Sequence, residues 1–152
     1  MRAPRRILET VLYARDLEAA EAFYAGVLGL RVHARAPGRF VFFRLREQML
    51  LVFDPEASRA NRDVPPHGCG GPGHVCFAVT EAELDAWRAH LQSHGIAVEH
   101  EHRWPRGGRS LYVRDPAGNS VEFASPRIWG LPELFPDDPQ EDIPSGGGMS
   151  RG

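Results

Sequence analysis

The sequence predicts an α+β fold made of two βαβββ modules in tandem. Three observations predict it. Two strand-like segments open equivalent stretches at Glu9 and His74, 65 residues apart. Each is followed by an amphipathic helix that ends on a glycine, Gly29 in one case and Gly95 in the other. Each stretch then returns through three more strand-like runs, the last two of them a hairpin.

In the first module, Ile7–Tyr13 is rich in β-branched and aromatic residues and reads as a strand. Asp16 is a good helix N-cap. Leu17, Ala20, Phe23, Tyr24, Val27 and Leu28 then follow helical spacing. Leu30–Ala34 is a short strand, and Pro37-Gly38 turns the chain. Phe40–Leu45 and Met49–Phe53 form a hairpin. Residues 54–73, with four prolines and four glycines, read as a structureless linker.

The second module repeats the order. His74–Val79 is a strand. Thr80 and Glu83 have the spacing of a capping box. Leu84, Trp87, Leu91 and His94 mark the apolar side of a helix. Ile96–Glu99 is a strand, and Ser110–Arg114 and Ser120–Ala124 pair across the turn Asp115–Asn119. The domain therefore spans residues 1–132, with modules at 6–53 and 74–125 joined through their sheets. Residues 133–152 are an acidic, then Gly-rich tail, expected to be disordered at its end.

Composition narrows the function. A chain of 152 residues, 42% hydrophobic and 25% charged, is long enough to bury one real core. No run approaches the roughly 20 apolar residues of a membrane span, and the N-terminus lacks a signal-peptide pattern. Two cysteines do not make a disulfide scaffold. A cytoplasmic location is the expectation. All 18 basic residues are Arg, without a basic stripe, so no nucleic-acid partner is expected.

Three titratable residues sit within apolar strands: Glu9, His74 and Glu122. Singly, each has a plain reading: an edge residue paired with Arg5 or Arg6, a core histidine, a solvated carboxylate. Jointly they differ. Glu9 and His74 hold equivalent places in the two modules, and Glu122 lies on the last strand of the second. A carboxylate on an apolar face needs a partner, and a carboxylate–imidazole–carboxylate set can hold a metal with positions left open for substrate. Arg109, after two glycines, has the fork geometry to pair with an anionic substrate group. His90 and His94 are one helical turn apart without a third ligand, His100 and His102 read as a solvated strand end, and Cys76 reads as a small apolar filler.

Four stretches carry a family resemblance: Leu8–Leu17, Phe23–Leu30, Gly73–Phe77 and Tyr112–Glu122. Over residues 6–125 the sequence resembles the vicinal oxygen chelate superfamily. That group includes glyoxalase I, bleomycin- and fosfomycin-resistance proteins, methylmalonyl-CoA epimerase and extradiol dioxygenases. The resemblance implies a glyoxalase-like half-barrel pair with ligands on the first and last strands of each module: Glu9, His74, Glu122 and about Val52. Val52 cannot bind metal, so the four-ligand pattern of glyoxalase I is incomplete. The chain also has no lysine, on which the fosfomycin enzymes rely. The implied cofactor is one divalent metal ion (Mn, Fe, Ni or Zn). The implied activity is isomerase, lyase or dioxygenase chemistry on a small substrate with vicinal oxygens, with Glu9 or Glu122 as base and Ser110 and Tyr112 as substrate contacts. The alternative is a metal-free, drug-sequestering protein of the bleomycin-resistance kind. A homodimer is expected, because each module leaves a sheet edge to cover. Relatives pair their modules within one chain or across two.

Overall fold

β1 (Glu9–Tyr13), β2 (Arg31–Ala36), β3 (Phe40–Arg44) and β4 (Met49–Phe53) form one sheet in the order β1-β4-β3-β2. β5 (His74–Ala78), β6 (His100–Arg103), β7 (Arg109–Arg114) and β8 (Ser120–Ala124) form a second in the order β5-β8-β7-β6. This is a computed structural model, and it describes residues 7–133. Within each sheet the first strand pairs parallel with the last, and the remaining pairs are antiparallel. The two βαβββ modules are those the repeat predicts. The acidic tail beyond Glu133 and residues Arg5 and Arg6 lie outside the described residues.

Strand alternation gives each sheet two faces. One face carries Leu12, Val41, Phe43, Leu50, Val52, Leu111, Val113, Val121 and Phe123 into a single core shared by both modules. Phe23, Tyr24, Leu84 and Leu91 from the helices fill the same core. The two sheets do not merge into one ladder. They are joined by this core and by side-chain bridges. The buried Tyr24 hydroxyl donates to Asp115 Oδ2 at 2.9 Å. Asn119 Nδ2 donates to Tyr13 O at 3.2 Å, and Gly73 N donates to Asn119 Oδ1 at 2.8 Å. The C-terminal end of β1 is thereby tied to the N-terminal end of β5.

Several local expectations are corrected. The first helix begins as α1 (Leu17–Glu21), capped by Asp16, and widens into a π-helical stretch, Ala22–Val27. Leu28 N reaches back five residues to Phe23 O at 3.0 Å, which lets adjacent Phe23 and Tyr24 both enter the core. Residues 54–73 are not structureless: Asp54 caps α2 (Pro55–Ala60), with Pro55 in the first turn. The second strand of module two is His100–Arg103 rather than Ile96–Glu99. Thr80 and Glu83 do form the reciprocal box, with Thr80 N donating to Glu83 Oε2 at 2.7 Å, ahead of α3 (Leu84–Ser93).

Candidate active site

On the face of the second sheet turned away from the core, β5 presents His74 and Cys76, and β8 presents Glu122. The register sets Cys76 beside Glu122 and His74 beside Ser120, so His74 and Glu122 stand diagonally on neighbouring strands. His74 Nε2 lies 3.2 Å from Glu122 Oε2. The Glu122 side chain is buried, whereas that of His74 is half exposed. Tyr112, directly opposite Glu122 on β7, donates its hydroxyl to Glu122 Oε1 at 2.8 Å. Each carboxylate oxygen therefore has its own partner. Burial first, then this bond, pushes the Tyr112 phenol up to about 12, so it stays a neutral donor at ordinary pH. Burial and the neighbouring Glu122 charge push the Cys76 thiol up to about 12 as well, which makes it a poor nucleophile.

Ser110 shares this face but is fully buried, and its Oγ accepts Trp104 Nε1 at 2.8 Å. Arg109, one position earlier, points to the opposite face. There its guanidinium is held by Glu81 at 2.6 Å and Asp85 at 3.0 Å, so its charge is already matched. The reason is strand alternation: neighbours on a strand cannot both face one cleft. The glycines before Arg109 obscured that register.

Glu9 is exposed and does not join His74 and Glu122. Among the described residues no group of three His, Cys, Asp or Glu side chains is close enough to hold a metal. The topology explains this. Tyr13, not Glu9, is tied to the start of β5, and Glu9 lies four residues back, about 13 Å along an extended strand. Val52 is also displaced from its expected place: it is buried in the core, and Leu51 occupies the position matching Glu122. Both residues are apolar, so the fourth ligand position stays empty of donors.

His100 and His102 lie on the edge strand β6, largely solvated as the sequence indicates, but their face was not assigned from the sequence. Their register partners are Tyr112 and Ser110, so the face of that edge strand they share is the site face. His102 sits edge-on to Trp104 with ring centroids 4.6 Å apart. Alternation counted backward from Tyr112 across the Arg106-Gly107-Gly108 turn was the available signal. His90 and His94 have other partners: His90 Nε2 lies 2.7 Å from Val27 O at the end of the first module's helix, and His94 Nδ1 lies 2.9 Å from His90 O one turn away.

The equivalent face of the first sheet is aromatic. Phe40 stacks on Phe42 at 4.1 Å, Phe42 meets Phe53 at 5.1 Å, and His67 lies edge-on to Phe53 at 4.9 Å. The Tyr13 hydroxyl and His67 Nδ1 are 2.6 Å apart. One face thus carries imidazole, thiol, phenol and carboxylate groups, and the other a cluster of aromatic rings.

These features coincide with known proteins. A solved lactoylglutathione lyase from Agrobacterium tumefaciens is 51% identical, superposes with a TM-score of 0.82, and is covered along 100% of its chain by 86% of this one. A glyoxalase/bleomycin resistance protein/dioxygenase from Nocardioides is 25% identical with a TM-score of 0.67, over 82% of this chain and 85% of that one. A catechol-2,3-dioxygenase of Bacillus subtilis (strain 168) is 28% identical over 118 residues, 76% of this chain. The chain spans only 40% of that relative's length. The profile of one family matches residues 6–123. With its paired βαβββ modules and its His74–Glu122 face, the chain belongs to the Glyoxalase/Bleomycin resistance protein/Dioxygenase superfamily.

Proposed function

We propose that the protein is a metal-dependent enzyme acting on a small substrate with two vicinal oxygens, by isomerase, lyase or dioxygenase chemistry. The observation that carries this reading is the His74–Glu122 pair, 3.2 Å apart, with Tyr112 fixing the second carboxylate oxygen. An imidazole and a carboxylate suit Mn, Fe, Ni or Zn, and an outer hydrogen bond to the carboxylate is what ligand orientation requires. His74 and Glu122 would hold the ion, and Glu9 of a second copy would supply the third donor in a homodimer. The metal would act as a Lewis acid toward the two substrate oxygens.

The chain's own residues do the rest. Tyr112 keeps Glu122 in one orientation and offers a neutral hydroxyl beside the substrate. Glu9 or Glu122, on releasing the ion, would accept the substrate proton. Ser110, held by Trp104, shapes the floor under Tyr112. The similarity to a lactoylglutathione lyase supports an enzyme of this superfamily. The aromatic face Phe40–Phe42–Phe53 favours one second reading, a metal-free protein that sequesters a planar ligand.

The test is elemental mass spectrometry on untagged protein, beside Glu9→Ala, His74→Ala and Glu122→Ala. Near-stoichiometric metal that falls in all three variants is expected. Mixed dimers of the Glu9→Ala and His74→Ala subunits should regain one intact site. Absence of metal after incubation with Mn, Fe(II), Ni and Zn would overturn the enzyme in favour of the sequestering protein. Glu9→Gln should lower turnover more than metal content.

A further inference from the structure

We propose that Asn119 is a positioning residue for the His74–Glu122 pair, fixing the start of β5 against the start of β8. The proposal rests on the reading of that pair as metal donors. The His74 side chain is half exposed, so packing does not hold it, and its place depends on its backbone. That backbone is clamped immediately before it. The Gly73 N–H donates to Asn119 Oδ1 at 2.8 Å, and the Gly73 carbonyl accepts from Ser120 N at 2.9 Å. One peptide position is thus gripped by two consecutive residues, 119 and 120. Glu122 follows two positions later on the same strand.

Asn119 is itself immobilised. It is 2% exposed. Its Nδ2 donates to Asp115 Oδ2 at 2.8 Å and to Tyr13 O at 3.2 Å, and its N–H donates to Asp115 Oδ1 at 2.8 Å. Asp115 is anchored in turn by the buried Tyr24 hydroxyl. Only a carboxamide both accepts from Gly73 and donates to a carbonyl and a carboxylate. Gly73 leaves no slack on the other side: a Cβ there would lie 2.9 Å from Leu12 Cδ2 and 3.4 Å from Asn119 Oδ1. Donor geometry held to a fraction of an ångström is what a metal site needs, and here that rigidity comes from a side chain that touches neither donor.

The experiment compares Asn119→Ala with Tyr24→Phe in the full chain. Tyr24→Phe removes a bond to the same Asp115 carboxylate and leaves the Gly73 clamp intact. Two readings are taken: Ni²⁺ affinity by titration, and hydrogen exchange of the Gly73 amide. In Asn119→Ala, Ni²⁺ affinity should fall at least about tenfold and Gly73 exchange should accelerate, while Tyr24→Phe changes neither appreciably. Equal losses of affinity in the two variants would overturn the proposal, as would faster exchange with unchanged affinity. If Asn119→Ala does not fold, Asn119→Asp, of the same shape, is read in its place. Its charge against Asp115 and Tyr13 O should lower Ni²⁺ affinity likewise, and unchanged affinity would overturn the proposal. A wild-type protein that binds no Ni²⁺ or other divalent metal defeats the metal reading alone. The Gly73 exchange then decides whether Asn119 holds the strand, with unchanged exchange overturning it.

Discussion

The Tyr112 hydroxyl donates to Glu122 Oε1 at 2.8 Å from directly across the β7–β8 ladder. The bond leaves Oε2 as the carboxylate oxygen turned to His74. Tyr112→Phe keeps the ring and deletes the bond. Its expected effect is a loss of metal affinity of about 10- to 100-fold, with a stability cost of about 1–2 kcal/mol for the lost bond. Isothermal titration with Ni²⁺ measures it, and a loss under about twofold would remove Tyr112 from the site.

The chain has three tyrosines, and all three phenols are shifted the same way. Burial is the largest cause at Tyr13, Tyr24 and Tyr112 alike. A raised folded value means that the stability these groups contribute is fully present below the ordinary phenol value of 10.0. It is lost as pH rises through the folded values, which for Tyr112 is about 12. An absorbance titration of the native protein should therefore show no tyrosinate step near the ordinary value. The step should arrive at higher pH, together with unfolding. A resolved step of one tyrosine near the ordinary phenol value would contradict this.

Cys76 and Cys69 both lie at the surface, yet they should react differently. The Cys76 thiol is pushed up to about 12, first by burial of its sulfur and then by the Glu122 carboxylate beside it, so its thiolate is scarce at pH 8. Iodoacetamide at that pH should modify Cys69 well before Cys76 in metal-free protein, read by peptide mass mapping. Glu122→Gln should narrow the gap. Equal rates in the native protein would show that the carboxylate does not control the thiol.

Asp115 is a buried carboxylate that accepts from Tyr24 Oη, Ala117 N, Asn119 N and Asn119 Nδ2. Asp115→Ala strands these donors in a buried turn. It should cost about 3–5 kcal/mol, whereas Tyr24→Phe, which deletes one donor, should cost about 1–2 kcal/mol. Urea denaturation measures both, and a smaller loss for Asp115→Ala than for Tyr24→Phe would refute the ranking.

The repeat made the fold legible, because periodicity and caps recur at matching offsets in the two halves. His74, Glu122 and Tyr112 were legible for the same reason: each lies on a strand whose register follows from its neighbours. Arg109 was misread because a glycine turn hides which face a strand begins on. The face taken by His100 and His102 was hidden for a related reason, since the strand starts four residues later than its apolar run. Glu9 shows a different limit. Equivalence within a repeat fixes a residue's place in its own module, but the meeting of two modules depends on contacts such as Tyr13–Asn119 that no local pattern encodes.

Those contacts also bear on how the chain reaches its native state. Tyr13–Asn119 spans 106 residues and Tyr24–Asp115 spans 91. Neither bond can form until the final turn of the second module has been made and brought back to the first. Closing such large loops is entropically slow and yields little until the surrounding strands are in place. The turn that steadies the site therefore belongs to the last step of folding. Weakening it should chiefly hasten unfolding and leave the folding rate nearly intact, so the lifetime of the native state rests on the same few polar groups as the geometry of its ligands.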